Sequence, residues 1–241
     1  MKKKLSGFTL LLISSITSSL FISCGNGNKT NNQAIETSTT TTDPDVVVIN
    51  GIHWAKCNVD KPGTFAVAPE EFGMFYQWNN NVGWSTTNPI INSNGGTKYD
   101  YNCNSSTEDG YTITSWATAN DPSPSGWRLP TVEEYRTLLD AEKVFSEWTT
   151  QNGVNGRKFT DKKTGQSIFF PAAGYREDRG VEFIPDKKKL HEVGSIGMYW
   201  SSNSNELGWV YYLGFYSNGK VVVKADGIYE HQGALSIRSV K

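Results

Sequence analysis

The stretch Met198–Gly227, MYWSSNSNELGWVYYLGFYSNGKVVVKADG, decides the reading of this chain. It is dense in aromatic rings, and Asn218-Gly219 inside it marks a turn between two apolar runs. A two-residue loop there would pair Leu213 with Lys224 and put a lysine on the apolar face. A three-residue loop, Ser217-Asn218-Gly219 with Gly219 left-handed, instead pairs Phe215 with Val221, Leu213 with Val223 and Tyr211 with Ala225. A slip of one residue exchanges every side chain between the faces, so the clean apolar face selects the bulged hairpin. Alternation then puts Tyr212, Tyr216, Lys220, Val222 and Lys224 on the opposite face. That face is expected to look toward solvent and grip a ligand through its rings and ammonium groups. The preceding loop, NSNELG from Asn203 to Gly208, adds the amides of Asn203 and Asn205 and the Glu206 carboxylate. The other outcome is a strand or loop that covers this face.

Upstream, GWRLPTVEEYRTLLDAEKV gives a helix with Thr131 as N-cap and Glu134 completing a capping box. Val132, Tyr135, Leu138 and Leu139 recur at helical spacing and form its apolar stripe. A second short helix is expected around Pro69–Tyr76, weakened by Gly73. VVVINGIHWAKCNV reads as two strands broken at Asn50-Gly51. NPIINSNGGTKYDYNCNSSTEDG reads as a long polar loop.

At the start, MKKK is followed by the apolar FTLLLISSITSSLFI, which is too short and serine-rich for a span of ~20 apolar residues. Residues 1–23 therefore read as an export signal. Ser23-Cys24 resembles the lipobox of bacterial lipoproteins, with Phe21 where that motif prefers Leu. The resemblance implies that Cys24 becomes the first mature residue and carries lipid, a membrane anchor worth about 0.8 kcal/mol per buried methylene. Residues 24–45, CGNGNKTNNQAIETSTTTTDPD, hold almost no large apolar side chain and read as a disordered tether. No acidic run follows Cys24, so either face of an outer membrane remains open.

The folded part, 46–241, is about 200 residues, one domain's worth. The formal charge of the chain is −1. Lys187–Lys189 is too short a run to make a nucleic-acid stripe. Cys57 and Cys103 lie in an exported compartment where a disulfide is permitted, and their spacing alone leaves pairing undecided. His53, His191 and His231 are scattered, and HEVGS lacks the second histidine of a zincin helix, so no metal is expected. There is no Gly-x-Ser-x-Gly elbow and no phosphate-cradling Gly-x-x-x-x-Gly-Lys loop. Glu133 and Glu134 face differently, and REDRG at Arg176–Gly180 reads as an exposed turn. The expectation is a protein that binds, without catalysis or cofactor.

Several segments together resemble one family: FGMFYQWN, ANDPSPSGWRLPTVEEYRTLLD, FTDKKTGQSIFFPAAGYRE, YWSS at Tyr199–Ser202 and the closing ALSIRSV. They are similar to the Fibrobacter succinogenes major paralogous domain of Bacteroidetes lipoproteins and fimbrial tip proteins, over nearly the whole folded part. The resemblance implies an α+β, C-type-lectin-like fold, with short antiparallel strands and long loops around one or two helices. Some relatives are similar to variable proteins of diversity-generating retroelements. For those, the likeness implies frame positions at Trp200, Leu213, Phe215 and Ile237. Displayed positions would be Asn203, Asn205, Tyr212, Tyr216, Tyr229 and His231. The fold is also similar to the formylglycine-generating enzyme, but no cysteine follows Cys103 to supply its reactive pair. The Glu-Pro-Asn and Trp-Asn-Asp calcium motifs of animal lectins are missing too, so fold does not license sugar binding here.

The resulting expectation is a lipid-anchored envelope protein recognising an extracellular glycan or protein. Its binding residues would be Asn203, Asn205, Glu206, Tyr212, Tyr216, Lys220, Lys224, Tyr229 and His231. The competing expectation is a subunit of fimbriae or another surface assembly.

Overall fold

The structure is a computed structural model describing residues 43–99, 114–177, 190–226 and 233–241, within one compact unit, Thr42–Lys241. It is rich in β-strand with one α-helix among the described residues. In chain order the strands are β1 (Val46–Ile49), β2 (Ile52–Ala55), β3 (Phe75–Gln77) and β4 (Gly83–Trp84). After the helix α1 (Val132–Leu138) come β5 (Val144–Gln151), β6 (Val154–Asp161), β7 (Ser167–Pro171) and β8 (Tyr175–Glu177). The last are β9 (Leu190–His191), β10 (Ile196–Ser204), β11 (Val210–Tyr216), β12 (Val221–Asp226) and β13 (Gly233–Leu235). They form four sheets, ordered β1-β2, β10-β11-β12, β4-β3-β13-β8-β9 and β5-β6-β7.

Local chemistry explains the elements. Asn50 and Gly51 take φ of 47° and 81°, the left-handed pair that a tight hairpin needs, and join β1 to β2. At α1, Thr131 Oγ1 accepts from Glu134 N at 3.2 Å while Glu134 Oε2 accepts from Thr131 N at 2.7 Å, the expected capping box. Val132, Tyr135 and Leu138 are buried, whereas Leu139, expected on the same stripe, sits at the C-cap and is exposed. No helix forms around Pro69–Tyr76. Gly73 has φ 66°, the side where a Cβ would stand faces the Val59 carbonyl, and Phe75–Gln77 joins a sheet instead. A Cβ at Gly73 would lie 2.2 Å from the Val59 oxygen, so only glycine fits this crossing.

The hairpin that opened the reading has the expected register. Phe215 pairs with Val221, Leu213 with Val223 and Tyr211 with Ala225. Tyr216 N donates to Lys220 O at 2.9 Å, and Gly219 has φ 88°. One face behaves as expected. Leu213 and Phe215, with Tyr199 of β10 and the half-buried Val221 and Val223, pack against Tyr135, Leu138, Phe159 and Phe170.

The opposite face does not. Met198, Trp200, Val210 and Tyr212 are buried in a second cluster with Tyr76, Trp78, Trp116, Leu235 and Ile237. Alternation fixed which side each residue takes, but a sheet covered on both sides hides both sets. The β10-β11 part of the sheet is therefore covered on both sides, while β12 stays partly exposed.

Polar joints lock this interior. Arg238 is fully buried, its guanidinium donating to Asn58 Oδ1 at 2.9 Å, Phe169 O at 3.1 Å, Ala55 O at 3.2 Å and the Lys56 carbonyl. It also stands 4.6 Å from the centre of the Phe170 ring. Arg176, equally buried, donates to Ser85 O at 2.7 Å and Thr87 O at 2.9 Å. Trp200 Nε1 donates to Tyr76 O at 2.7 Å, and Tyr135 OH to Trp200 O at 3.1 Å. Burial pushes the Tyr199 hydroxyl up to about 12.

Candidate functional site

The expected binding residues separate into different environments. Tyr212 is 1% exposed, so its ring belongs to the core and displays nothing. It lies in a row across the sheet, Trp200–Tyr212–Lys224, along which cover thins from the first strand to the last. Trp200 is buried and Lys224 exposed. Tyr216 is half-buried with Lys220 Nζ 5.7 Å from its ring centre, and Lys220 is exposed. These three form the remaining open part of that face.

Asn203 is occupied by structure. Its Oδ1 accepts from Val132 N at 3.0 Å and so satisfies a donor of the first turn of α1, which needs such a partner. The backbone reaches this position through an irregularity between Trp200 and Ser204, where the pairing of β10 with β11 shifts register. Asn205 is occupied as well. Its Oδ1 accepts from Leu207 N and from Trp209 N, both at 2.9 Å, while its own N–H donates to Trp209 O at 2.8 Å. Gly208 N closes the loop on Asn205 O at 2.9 Å, with φ 82°. The Oδ1 atoms of Asn203 and Asn205 thus serve the helix and the loop, contrary to the expected display, and the buried Tyr212 displays nothing. Glu206 is exposed at its tip.

The clamp has an outcome that the sequence reading missed. It holds Leu207 72% exposed and Trp209 45% exposed. Along the run into β11, Trp209 is exposed, Val210 buried, Tyr211 half-buried and Tyr212 buried. Trp209 and Tyr211 therefore share the side of Leu213 and Phe215, at the end of the strand where that core no longer covers it fully. The Arg136 guanidinium stands 5.9 Å from the centre of the Tyr211 ring. Beside them lies a depression of about 660 Å³ lined by Thr114, Ser204, Asn205, Glu206, Leu207 and Tyr211. Part of the signal lies in the sequence: Asn205 with Gly208 spells a side-chain-closed turn, whereas alternation back from Tyr211 places Trp209 on the core side.

The frame positions Trp200, Leu213, Phe215 and Ile237 are all buried. Tyr229 and His231 lie outside the described residues, as do Cys24 and Cys103. Cys57 carries a free, half-buried thiol whose pKa is raised by that burial; its pairing with Cys103 falls outside what is described. Among the described residues, no group of three or more His, Cys, Asp or Glu side chains is placed to hold a metal. No helix among the described residues is long and apolar enough to cross a membrane.

The arrangement offers ring faces, hydroxyls and one carboxylate on a pre-shaped loop. Such a surface binds by stacking and hydrogen bonding with little ordering cost. No family model, curated protein or solved structure matches this chain.

Proposed function

We propose that this chain is a lipid-anchored protein of a bacterial envelope whose C-type-lectin-like domain binds an extracellular glycan or protein. The observation that carries the binding reading is the exposure of Leu207 and Trp209 on a loop fixed by Asn205. An apolar side chain gains nothing for folding when it stands in water. Here hydrogen bonds keep two such residues there, an arrangement that favours contact with something else.

The lectin-like reading is supported by where the family-like segments fall. GWRLPT supplies the capping box of α1, PAAGYR brings in Arg176, YWSS sits in the central layer, and the closing segment places Arg238 among the carbonyls. Each sits at a joint of the frame. The lipid anchor rests on the resemblance at Ser23-Cys24. Replacing Cys24 with Ser should move the chain from the membrane fraction to the soluble one.

The binding reading is tested by presenting the purified full chain to an oligosaccharide array and to an array of purified extracellular matrix proteins. A signal on either that falls with Trp209→Ala supports it, and silence on both sinks it. A second reading, a subunit of a surface assembly, is favoured by Phe145, which stands 52% exposed on a different sheet. Co-purification with fimbriae, and their loss on deletion of this chain, would favour that reading.

A further inference from the structure

We infer that the depression beside the Asn205 loop is a carbohydrate subsite, with Tyr211 in its lining and Trp209, which flanks it in sequence, as its stacking rings. The inference rests on the binding reading above and narrows it to one ligand chemistry and one place.

Four observations converge. First, Trp209 and Tyr211 are separated by one residue at the entry to an extended strand, so their Cα atoms lie roughly 7 Å apart on one side. Two neighbouring rings on one side offer an apolar strip to the C–H faces of a sugar. Second, the depression is lined by Thr114, Ser204 and Glu206, which carry two hydroxyls and a carboxylate, beside Tyr211. Sugar hydroxyls both donate and accept, and this edge does the same.

Third, the strip is rigid without a ligand. Trp209 is tied at both backbone groups, its N–H to Asn205 Oδ1 at 2.9 Å and its C=O to Asn205 N at 2.8 Å. Sugars bind weakly per unit area, so a platform that loses no freedom on binding has the advantage. Fourth, the charge is wrong for the main rivals. Glu206 adjoins Leu207 at the loop tip, which opposes insertion of the tip into an anionic lipid surface. Among the described residues, Arg136 stands near the strip and is already paired with Glu133 on the same helix, so it is not free to anchor a phosphate backbone. A neutral oligosaccharide meets none of these objections.

The test uses the purified full chain on an array of neutral and acidic oligosaccharides, with the matrix-protein array run in parallel. Binding to at least one neutral oligosaccharide is expected. Trp209→Ala should weaken it by roughly tenfold or more, Tyr211→Ala by several-fold, and Trp209→Phe should retain most of it. Unchanged unfolding midpoints show that each variant remains folded. Neutral-oligosaccharide binding that Trp209→Ala leaves intact overturns the placement. Binding confined to acidic oligosaccharides overturns the neutral class. A silent sugar array with a Trp209-dependent signal on the protein array overturns the carbohydrate assignment while the binding reading stands. Silence on both overturns the two together.

Discussion

Two segments that touch in sequence, the loop Asn205–Trp209 and the hairpin β11-β12, handle their aromatic residues in opposite ways. Tyr212 has the better credentials for display: it faces away from Leu213 and Phe215 and aligns with a lysine across the strand pair. It is nevertheless buried, because Trp78, Trp116 and Leu235 roof that side of the sheet. Trp209 belongs to the side that holds the first core, yet it stands exposed because it lies beyond the end of that packing. Parity in a strand tells which residues share a face; what covers the face is decided by distant chain.

The contrast can be broken or sharpened by substitution. The largest effect is expected for Arg238→Ala, which strips four acceptors of their buried donor. A loss of about 3–5 kcal/mol in urea unfolding is expected, and a near-neutral variant would mean that the two cores are not held by this joint. Gly197→Ala follows. An added Cβ would lie 2.1 Å from the Phe215 ring, so about 1–3 kcal/mol should be lost to overpacking. Asn203→Ala should cost about 1 kcal/mol through the unsatisfied first turn of α1. If the midpoint does not move and ligand capture does, Asn203 is a recognition residue after all. Asn205→Ala should change global stability least, by less than about 1 kcal/mol, while amide exchange at Leu207 and Trp209 accelerates. Slow exchange in that variant would show that the loop is shaped by something other than its asparagine.

How much was legible follows the same line. The hairpin register, the Asn50-Gly51 turn and the capping box of α1 are set by residues within a few positions of one another, and each formed as the local pattern requires. The absent helix at Pro69–Tyr76 and the covered face at Tyr212 are set by partners far along the chain, Val59 and β13 in one case and Trp78, Trp116 and Leu235 in the other. Asn203 looked like a free amide because its partner, Val132 N, lies 71 residues away, whereas the Asn205 turn onto Leu207 N and Trp209 N is local and was legible. Trp209 shares its parity with the interior set Tyr211, Leu213 and Phe215. Solvent reaches it only because the opposing core stops short.

The most direct test of the account is a paired unfolding measurement on Tyr212→Ala and Trp209→Ala. The account predicts a loss of about 3–5 kcal/mol for the first and a change within about 0.5 kcal/mol for the second. Equal losses, or a larger one at Trp209, would contradict the division of these neighbouring rings between a core and a binding surface.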